Sequence, residues 1–235
     1  MNAGSKTSSK SAVRLPEVKA GGKAAGNTNA KMNAQMTVPT SKVEKKQTKA
    51  NKVVKVALSL QLHDYIWQQA CSFAARAHRN QLRRDGRTPY YTHVVRVAFT
   101  VTLVFKCTDE TAIATALLHD TIEDTTTDYD DISERFGDDV AVCVAALTKN
   151  MALPEQERER VYDEKLTDSP WQAKLVKLAD SFDNLHDVVT FPADRREEQR
   201  YKAVERCRRA VEIARSEPKN AVLMNACKIV MGLYE

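Results

Sequence analysis

The sequence predicts an all-α domain, and three observations lead to this prediction. Apolar residues recur at helical spacing in one segment after another of the 235-residue chain, beginning with Leu62, Ile66 and Ala70. Alternating apolar and polar residues, which indicate a half-buried strand, do not extend over a useful length. Hydrophobic residues make up 43% of the chain, which is enough for a globular core. We therefore expect a compact multi-helix domain.

The first predicted helices flank a polar loop. Ser59 is a suitable N-cap for a helix over about 59–80. A loop over 81–92 follows, and Gly86 within it is a turn signal. The next segment, about 93–105, is apolar and predicts a second helix.

The remaining helices have recognisable start and stop signals. Thr108 or Asp109 can cap one helix, Asp128 can cap another, and Gly137 can end it. Pro154 suits the first turn of a charged helix. The approximate bounds of these helices are 108–120, 128–136, 138–149, 154–167, 168–189, 192–215 and 218–234.

The formal net charge of +5 is unevenly distributed along the chain. Residues 1–55 contain 12 Lys and Arg, two Asp and Glu, and no aromatic residue, whereas 56–235 contain 24 and 29. The first segment cannot bury enough apolar surface to offset the entropy of ordering, so we expect a disordered basic tail that contacts nucleic acid or other anions weakly. Residues 56–235 form the predicted catalytic domain.

Several classes of protein are excluded by composition. An apolar run of transmembrane length is lacking, and residues 1–55 lack the apolar core of a secretory signal. The domain has three isolated glycines, so a glycine-rich phosphate loop cannot be written. Five widely spaced cysteines without a C-x-x-C motif indicate a reducing compartment, and we expect a cytoplasmic protein whose cysteines are buried as small hydrophobic residues.

Two histidines and two aspartates stand out as candidate metal ligands. His119 and Asp120 end an almost wholly apolar helix, Asp180 follows a core stretch, and His93 begins an apolar helix. Burying an ionised carboxylate is costly unless it is paired or binds a metal. Two imidazoles and two carboxylates suit Mn²⁺, Fe²⁺ or Zn²⁺. Each residue alone is more often a helix cap, a surface charge or a hydrogen-bonded core histidine.

Glu123 and Asp124 favour a catalytic site over a structural one. They follow His119 and Asp120 by four residues each, so they share a helix face with them if the helix continues. If the helix unwinds, they still lie at the mouth of the site. Hydrolysis at a metal needs a nearby acid or base that moves a proton, which two such acids can supply.

The ordered motifs resemble the HD-domain metal-dependent phosphohydrolases, and among them the hydrolase domain of the RelA/SpoT family. The similarity is greatest to the single-domain small alarmone hydrolases, including the metazoan SpoT-like enzymes, and covers most of 60–215. The matching segments are Phe73–Gln81, Arg83–Tyr90 leading to His93, Ala116–Thr125, Phe136-Gly137, Leu147–Lys149, Ala173–Asp180 and Asn184-Leu185.

The resemblance implies roles for particular residues. In the family a metal, usually Mn²⁺, is held at the positions of His93, His119, Asp120 and Asp180. Glu123 and Asp124 match the catalytic acids. The implied residues for substrate binding are Arg83, Arg84, Asn184 and Arg200, of which Arg200 depends on a gap-sensitive alignment. The implied substrate is guanosine 3′-diphosphate 5′-(di- or tri-)phosphate, which loses pyrophosphate from its 3′ side.

Two departures from the family pattern bear on the site. Val94 stands where the family usually has Pro after the first ligand, which changes the helix start and not the ligand. His186 stands where the family commonly has Arg two residues after the Asn, which puts one phosphate or base contact in doubt. Arg83 and Arg84 could also be a mobile basic loop, and Arg195–Arg200 a solvated face.

We therefore expect a cytoplasmic guanosine-3′,5′-bis(diphosphate) 3′-pyrophosphohydrolase that depends on a metal, with no membrane contact. Two alternatives remain at the level of sequence. The same site could act on another nucleotide such as NADPH, an activity that the metazoan relatives imply. The domain could also be a nucleotide-binding sensor, although a sensor could dispense with Glu123 and Asp124.

Overall fold

The structure, a computed structural model, describes residues 65–235. The tail 1–55, its boundary with the domain and the predicted cap Ser59 lie outside the described residues. Ten α-helices occur in the described range. They are α1 (Ile66–Ala77), α2 (Tyr91–Phe99), α3 (Glu110–Leu118), α4 (Thr121–Asp124), α5 (Tyr129–Phe136), α6 (Asp138–Leu147), α7 (Glu155–Thr167), α8 (Trp171–His186), α9 (Arg196–Ala214) and α10 (Ala221–Met231).

The all-α prediction is confirmed. Residues 65–235 contain no β-strand, and an isolated antiparallel bridge joins Leu82 to Pro89 in the loop between α1 and α2. In the same range, no helix is both long enough and apolar enough to cross a bilayer.

The predicted caps explain where several helices begin. The Asp109 side chain accepts a hydrogen bond from the backbone N–H of Ala112 at 2.8 Å. Asp128 and Asp131 form a capping box at the start of α5. Gly137 ends α5 with φ +86°, a conformation that glycine adopts without a steric penalty.

The segment after α2 differs from the predicted regular helix. Thr100–Val104 is a π-helix, and the Phe105 N–H donates to the carbonyl of Thr100. The Thr100 hydroxyl also donates to the carbonyl of Arg96 at 2.9 Å. Threonine hydroxyls that bond to carbonyls four residues earlier bend helices, which accounts for the wider turn.

The helix that was predicted to include His119 and Asp120 ends before them. α3 ends at Leu118, a turn contains His119 and Asp120, and the four-residue α4 follows. The side chain of Thr121 donates to the carbonyl of Leu118 at 2.7 Å, which satisfies one of the acceptors that the end of α3 leaves open.

α8 is the central helix of the described domain, because it packs against α3, α9 and α10 among others. Leu175, Val176 and Leu178 of this helix are fully buried. Truncation of such a leucine to alanine costs about 2–5 kcal/mol. Asp180 lies near the middle of α8, so the packing of this helix in the core fixes the position of Asp180. Of the five cysteines, all but Cys71 are buried, as predicted for small hydrophobic residues.

Candidate metal centre and catalytic cleft

Three helices bring the predicted metal ligands to one point. His93 lies on α2, Asp180 on α8, and His119 and Asp120 directly follow α3. The ligand atoms of His93, His119 and Asp180 lie within 4.8 Å of one another. Asp120 Oδ2 lies 3.0 Å from His119 Nε2 and 3.5 Å from His93 Nε2. We refer to these four residues as the His/Asp cluster.

Both imidazoles of the cluster present their Nε2 atom to this point, because Nδ1 is already engaged. His119 Nδ1 donates to the carbonyl of Ala116 at 2.8 Å, and His93 Nδ1 donates to Asp183 Oδ2 at 2.7 Å. A neutral imidazole that donates from Nδ1 keeps a lone pair on Nε2. Histidine ligands of metals are commonly oriented by such hydrogen bonds.

A missing hydrogen bond shows that the cluster fits a cation. Within residues 65–235, His119 Nε2 is buried without a hydrogen-bond partner, although Asp120 Oδ2 is near. A buried polar atom without a partner costs free energy. A divalent ion would supply that partner, and two nitrogen with two carboxylate donors suit such an ion. The cluster is therefore a possible metal site.

The two aspartates of the cluster are held by neutral and cationic donors. The Tyr90 hydroxyl donates to Asp120 Oδ2 at 2.7 Å. Lys177 Nζ donates to Asp180 Oδ2 at 3.0 Å, and Asn184 Nδ2 donates to Asp180 Oδ1 at 2.5 Å. These bonds orient the carboxylates before any ligand binds.

The charges in the cluster shift the pKa values of its members. Burial lowers the pKa of His119, but the carboxylates of Asp120 and Asp180 outweigh burial and raise it to about 9. Burial raises the pKa of Asp120, but the imidazoles of His119 and His93 outweigh it and lower this pKa to about 2. The aspartates thus stay ionised and favour a positive charge between the imidazoles.

Glu123 and Asp124 lie on α4, directly after the cluster, and line the same cavity. Glu123 Oε2 accepts a hydrogen bond from the backbone N–H of Lys149 at 2.9 Å. Burial is the largest cause that raises the pKa of both acids, and the nearby charge of Asp120 raises both further. A carboxyl group with a raised pKa in a cleft is suited to transferring protons.

Behind His93, arginines and aspartates alternate in a chain of ion pairs that we call the charge chain. Arg96 binds Asp183 through two hydrogen bonds, from Nε to Oδ1 at 2.7 Å and from the guanidinium to Oδ2 at 2.8 Å. Arg96 also reaches Asp187 at 3.3 Å. Asp187 in turn accepts from Arg83 at 2.6 Å. The chain therefore connects Arg83, which lines the cleft, to His93 of the cluster.

The cluster opens into a cleft made of two adjoining cavities. A cavity of about 240 Å³ contains the cluster and the two acids, and a cavity of about 480 Å³ adjoins it. The residues that line both are Arg84, Lys149, Tyr162, Lys177, Asp180 and Asn184. The guanidinium of Arg84 lies 4.7 Å from the centre of the Phe191 ring, a cation–π contact that holds it at the cleft.

The structure separates the predicted substrate-binding residues into two groups. Arg83, Arg84 and Asn184 line the cleft, whereas Arg200 is exposed on α9 and lines neither cavity. Residues two apart on a helix point about 200° apart, and the side chain two positions later, Lys202, does line the larger cavity. The structure thus places other cations of α9 on the cleft. They are Lys202, Arg206 and Arg209.

Three residues at the site were not singled out from sequence. Lys177 precedes Asp180 by three positions, Asp183 follows it by three, and Arg96 follows His93 by three. Residues three apart on a helix share a face, so this spacing is a signal that could have identified them. His186, which replaces the family's usual Arg, is exposed and hydrogen-bonds through Nδ1 to the carbonyl of Phe182.

Comparison with known proteins finds a matching family and several similar proteins. Residues 70–211 match the family described as HD domain. The Drosophila melanogaster guanosine-3′,5′-bis(diphosphate) 3′-pyrophosphohydrolase MESH1 is 39% identical over 136 residues, which are 57% of this chain and 76% of that protein. The Homo sapiens MESH1 is 44% identical over 121 residues, which are 51% of this chain and 68% of that protein.

A more distant relative and a solved structure are also similar to this chain. The Aquifex aeolicus guanosine-3′,5′-bis(diphosphate) 3′-pyrophosphohydrolase is 38% identical over 138 residues, which are 57% of this chain and 19% of that enzyme. A solved structure, described as a metazoan ortholog of SpoT that hydrolyzes ppGpp and plays a role in starvation responses, matches with a TM-score of 0.60 at 33% identity. This match covers 72% of this chain and 94% of the other.

Proposed function

The chain belongs to the HD-domain family, and from this premise we propose that it is a metal-dependent hydrolase of guanosine-3′,5′-bis(diphosphate), ppGpp. The proposed products are GDP and pyrophosphate, or GTP and pyrophosphate when the substrate carries a 5′-triphosphate. One observation carries the proposal: a His/Asp cluster with a buried, unpartnered imidazole nitrogen lies beside two acids in a chain whose relatives bear this activity in their names.

The proposed substrate agrees with the charges that line the cleft. The cluster and the two acids line the smaller cavity, where the 3′-diphosphate would react. Among the described residues, six lysines and arginines and five carboxylates line the larger cavity, which would hold the nucleoside and its 5′-phosphates, so cations are in slight excess there. Charge-assisted hydrogen bonds from such groups are the stronger ones for phosphate oxygens. A cavity of about 480 Å³ is in the range of small-molecule sites.

We propose that His93, His119, Asp120 and Asp180 hold the metal ion, with Mn²⁺ as the first choice and Zn²⁺ or Fe²⁺ as alternatives. When bound, such an ion polarises a phosphoryl group and lowers the pKa of a water molecule. Asp183 and the carbonyl of Ala116 keep the two imidazoles turned toward it. Lys177 and Asn184 keep Asp180 in place, and Tyr90 does the same for Asp120.

We assign proton transfer to Glu123 and Asp124. In the reaction the oxygen of water bonds to the phosphorus attached to the 3′ oxygen, and the bond between that phosphorus and the 3′ oxygen breaks. Glu123, held by the N–H of Lys149, accepts the proton of water and delivers it to the departing 3′ oxygen. Asp124 supports this transfer by orienting the water. Arg84 and Lys149 bind the phosphate oxygens of the substrate through charge-assisted hydrogen bonds.

The test is release of pyrophosphate from ppGpp by purified protein with Mn²⁺. We expect turnover that stops on addition of EDTA and returns with excess Mn²⁺. Release of phosphate from NADPH without cleavage of ppGpp would replace the proposal with a phosphatase of another nucleotide. Tight binding of ppGpp without turnover, at full metal occupancy, would indicate a sensor. Metal analysis of the active protein distinguishes Mn²⁺ from Zn²⁺ and Fe²⁺.

A further inference from the structure

Outside the cleft, two cavities of about 470 Å³ and 320 Å³ adjoin each other and share Phe73, Arg76 and Arg135. We call them together the arginine groove. The groove has no lining residue in common with the two cavities of the cleft. Arg79, Asn80, Gln81, Thr125 and Thr126 also line it.

The groove holds three guanidinium groups that lack an anionic partner. Arg76, Arg79 and Arg135 form no ion pair and no side-chain hydrogen bond within residues 65–235. Arg135 lies over the ring of Phe73, 5.4 Å from its centre, which holds one guanidinium along the wall. Among residues 65–235, no carboxylate lines the groove. The positive charge is therefore not neutralised by the residues that line this surface.

The other groups of the groove are hydrogen-bonding and uncharged. The hydroxyl of Thr125 already donates to the carbonyl of Thr121, but Thr126 and Asn80 are exposed and make no side-chain hydrogen bond within the described residues. Guanidinium groups bind phosphate through two parallel N–H donors, and hydroxyl and amide groups complete such sites. The combination suits an anion with several oxygens.

We propose that the arginine groove is a second binding site, for the phosphate groups of a small anion with at least two negative charges, such as pyrophosphate or a nucleoside diphosphate. The groove lies next to the backbone of Asp124, one of the two acids of the cleft. Gln81 at the edge of the groove accepts from His78 and donates to the backbone carbonyl of Asp124 at 2.6 Å. The groove thus borders the segment that follows the two acids of the cleft.

The experiment measures pyrophosphate binding to the metal-free, full-length protein by calorimetry at about 150 mM salt, where weak surface attraction is screened. The groove variant carries Arg76→Gln, Arg79→Gln and Arg135→Gln. The control variant carries Lys106→Gln, Lys219→Gln and Lys228→Gln, exposed residues that line none of the cavities described above, so both variants lose the same charge. Thermal melting checks that each variant is folded.

We expect the wild type and the control to bind one more pyrophosphate per chain than the groove variant. Thr126→Val alone should weaken that site by a few-fold, since one neutral hydrogen bond to the anion is lost. Equal loss in both triple variants would mean that net charge alone attracts the anion and would overturn the proposal. So would unchanged binding in the groove variant, or binding of an oligonucleotide but not of pyrophosphate.

The outcome is independent of the proposed function. ppGpp turnover by the groove variant is expected to equal that of the wild type, because none of the three arginines lines the cleft. A protein that fails to hydrolyse ppGpp could still show the second site, and a protein that hydrolyses ppGpp could lack it.

Discussion

Arginines near His93 and arginines in the arginine groove are opposites in how they are satisfied. Arg83 and Arg96 are bound by the carboxylates of Asp187 and Asp183, both of which are buried. Arg76, Arg79 and Arg135 have no such carboxylate within residues 65–235. Pairing converts an arginine into part of the scaffold, whereas an unpaired arginine keeps its donors for an external anion. Arginine thus positions the His/Asp cluster in one region, and in the other it is the proposed binding group for an anion.

The largest expected effect comes from the cluster that the charge chain supports. Asp120→Asn removes a carboxylate that lies 3.0 Å from His119 Nε2, and we expect loss of metal binding and of nearly all turnover. Metal content after dialysis and the rate of pyrophosphate release measure the two effects. Retention of a full equivalent of metal would remove Asp120 from the ligand set.

The next effect concerns the acid beside the cluster. Glu123→Gln should keep metal binding and lower kcat by about 10²–10⁴-fold, the usual contribution of a general acid or base. Asp130→Gln, an exchange of an exposed acid on α5, is the control and should leave kcat unchanged. Turnover within a few-fold of the wild type would exclude Glu123 from proton transfer.

The charge chain itself is tested by Asp183→Asn. The change removes the carboxylate that orients His93 and also leaves Arg96 with a weaker partner. We expect metal affinity to fall by about 10–100-fold, as is typical for partners of ligating histidines. At saturating metal, kcat should differ from that of the wild type by a smaller factor than the metal affinity does.

A matched control for Asp183→Asn is Glu217→Gln, which breaks a pair with the buried Lys174 and contacts none of the cluster. Metal titration followed by calorimetry compares the two variants. Equal metal affinity in Asp183→Asn and wild type would show that Asp183 does not position His93.

The smallest effects distinguish paired from unpaired arginines within the cleft. Arg84 has a ring contact and no ion pair in the described chain, so Arg84→Gln should raise KM by about tenfold or more with little change in kcat, because a charge-assisted bond to substrate is lost. Arg83→Gln should instead lower thermal stability, since it leaves the buried Asp187 without its closest cation. The reverse pattern in KM and melting temperature would contradict the distinction.

Local features of the domain could be predicted from sequence, whereas its long-range pairings could not. The caps at Asp109 and Asp128 and the stop at Gly137 depend on neighbours within a few residues. The π-helix at Thr100–Val104 is a local exception, because no spacing rule indicates where a threonine hydroxyl bonds to a carbonyl four residues earlier. The bond between Arg96 and Asp183 joins two helices that are distant in sequence, which periodicity alone does not reveal.

The candidate site could be predicted only in part from the sequence, for the same reason. His119 and Asp120 were conspicuous as polar residues at the end of an apolar helix, and Asp180 as an acid in a core stretch. Arg200 was expected at the substrate through an alignment, yet the phase of α9 turns Lys202, Arg206 and Arg209 to the cleft. A helical phase is set by tertiary packing, and a highly charged helix such as α9 gives a weak signal of it.

The bond between His119 Nδ1 and the carbonyl of Ala116 joins the last turn of α3 to the residue that directly follows the helix. The tautomer of this imidazole is therefore set when the helix end forms, because the acceptor belongs to its last turn. The entropy of ordering this imidazole is therefore lost during folding and does not reduce the affinity for a bound cation. Formation of this helix end and orientation of one imidazole of the His/Asp cluster are a single event.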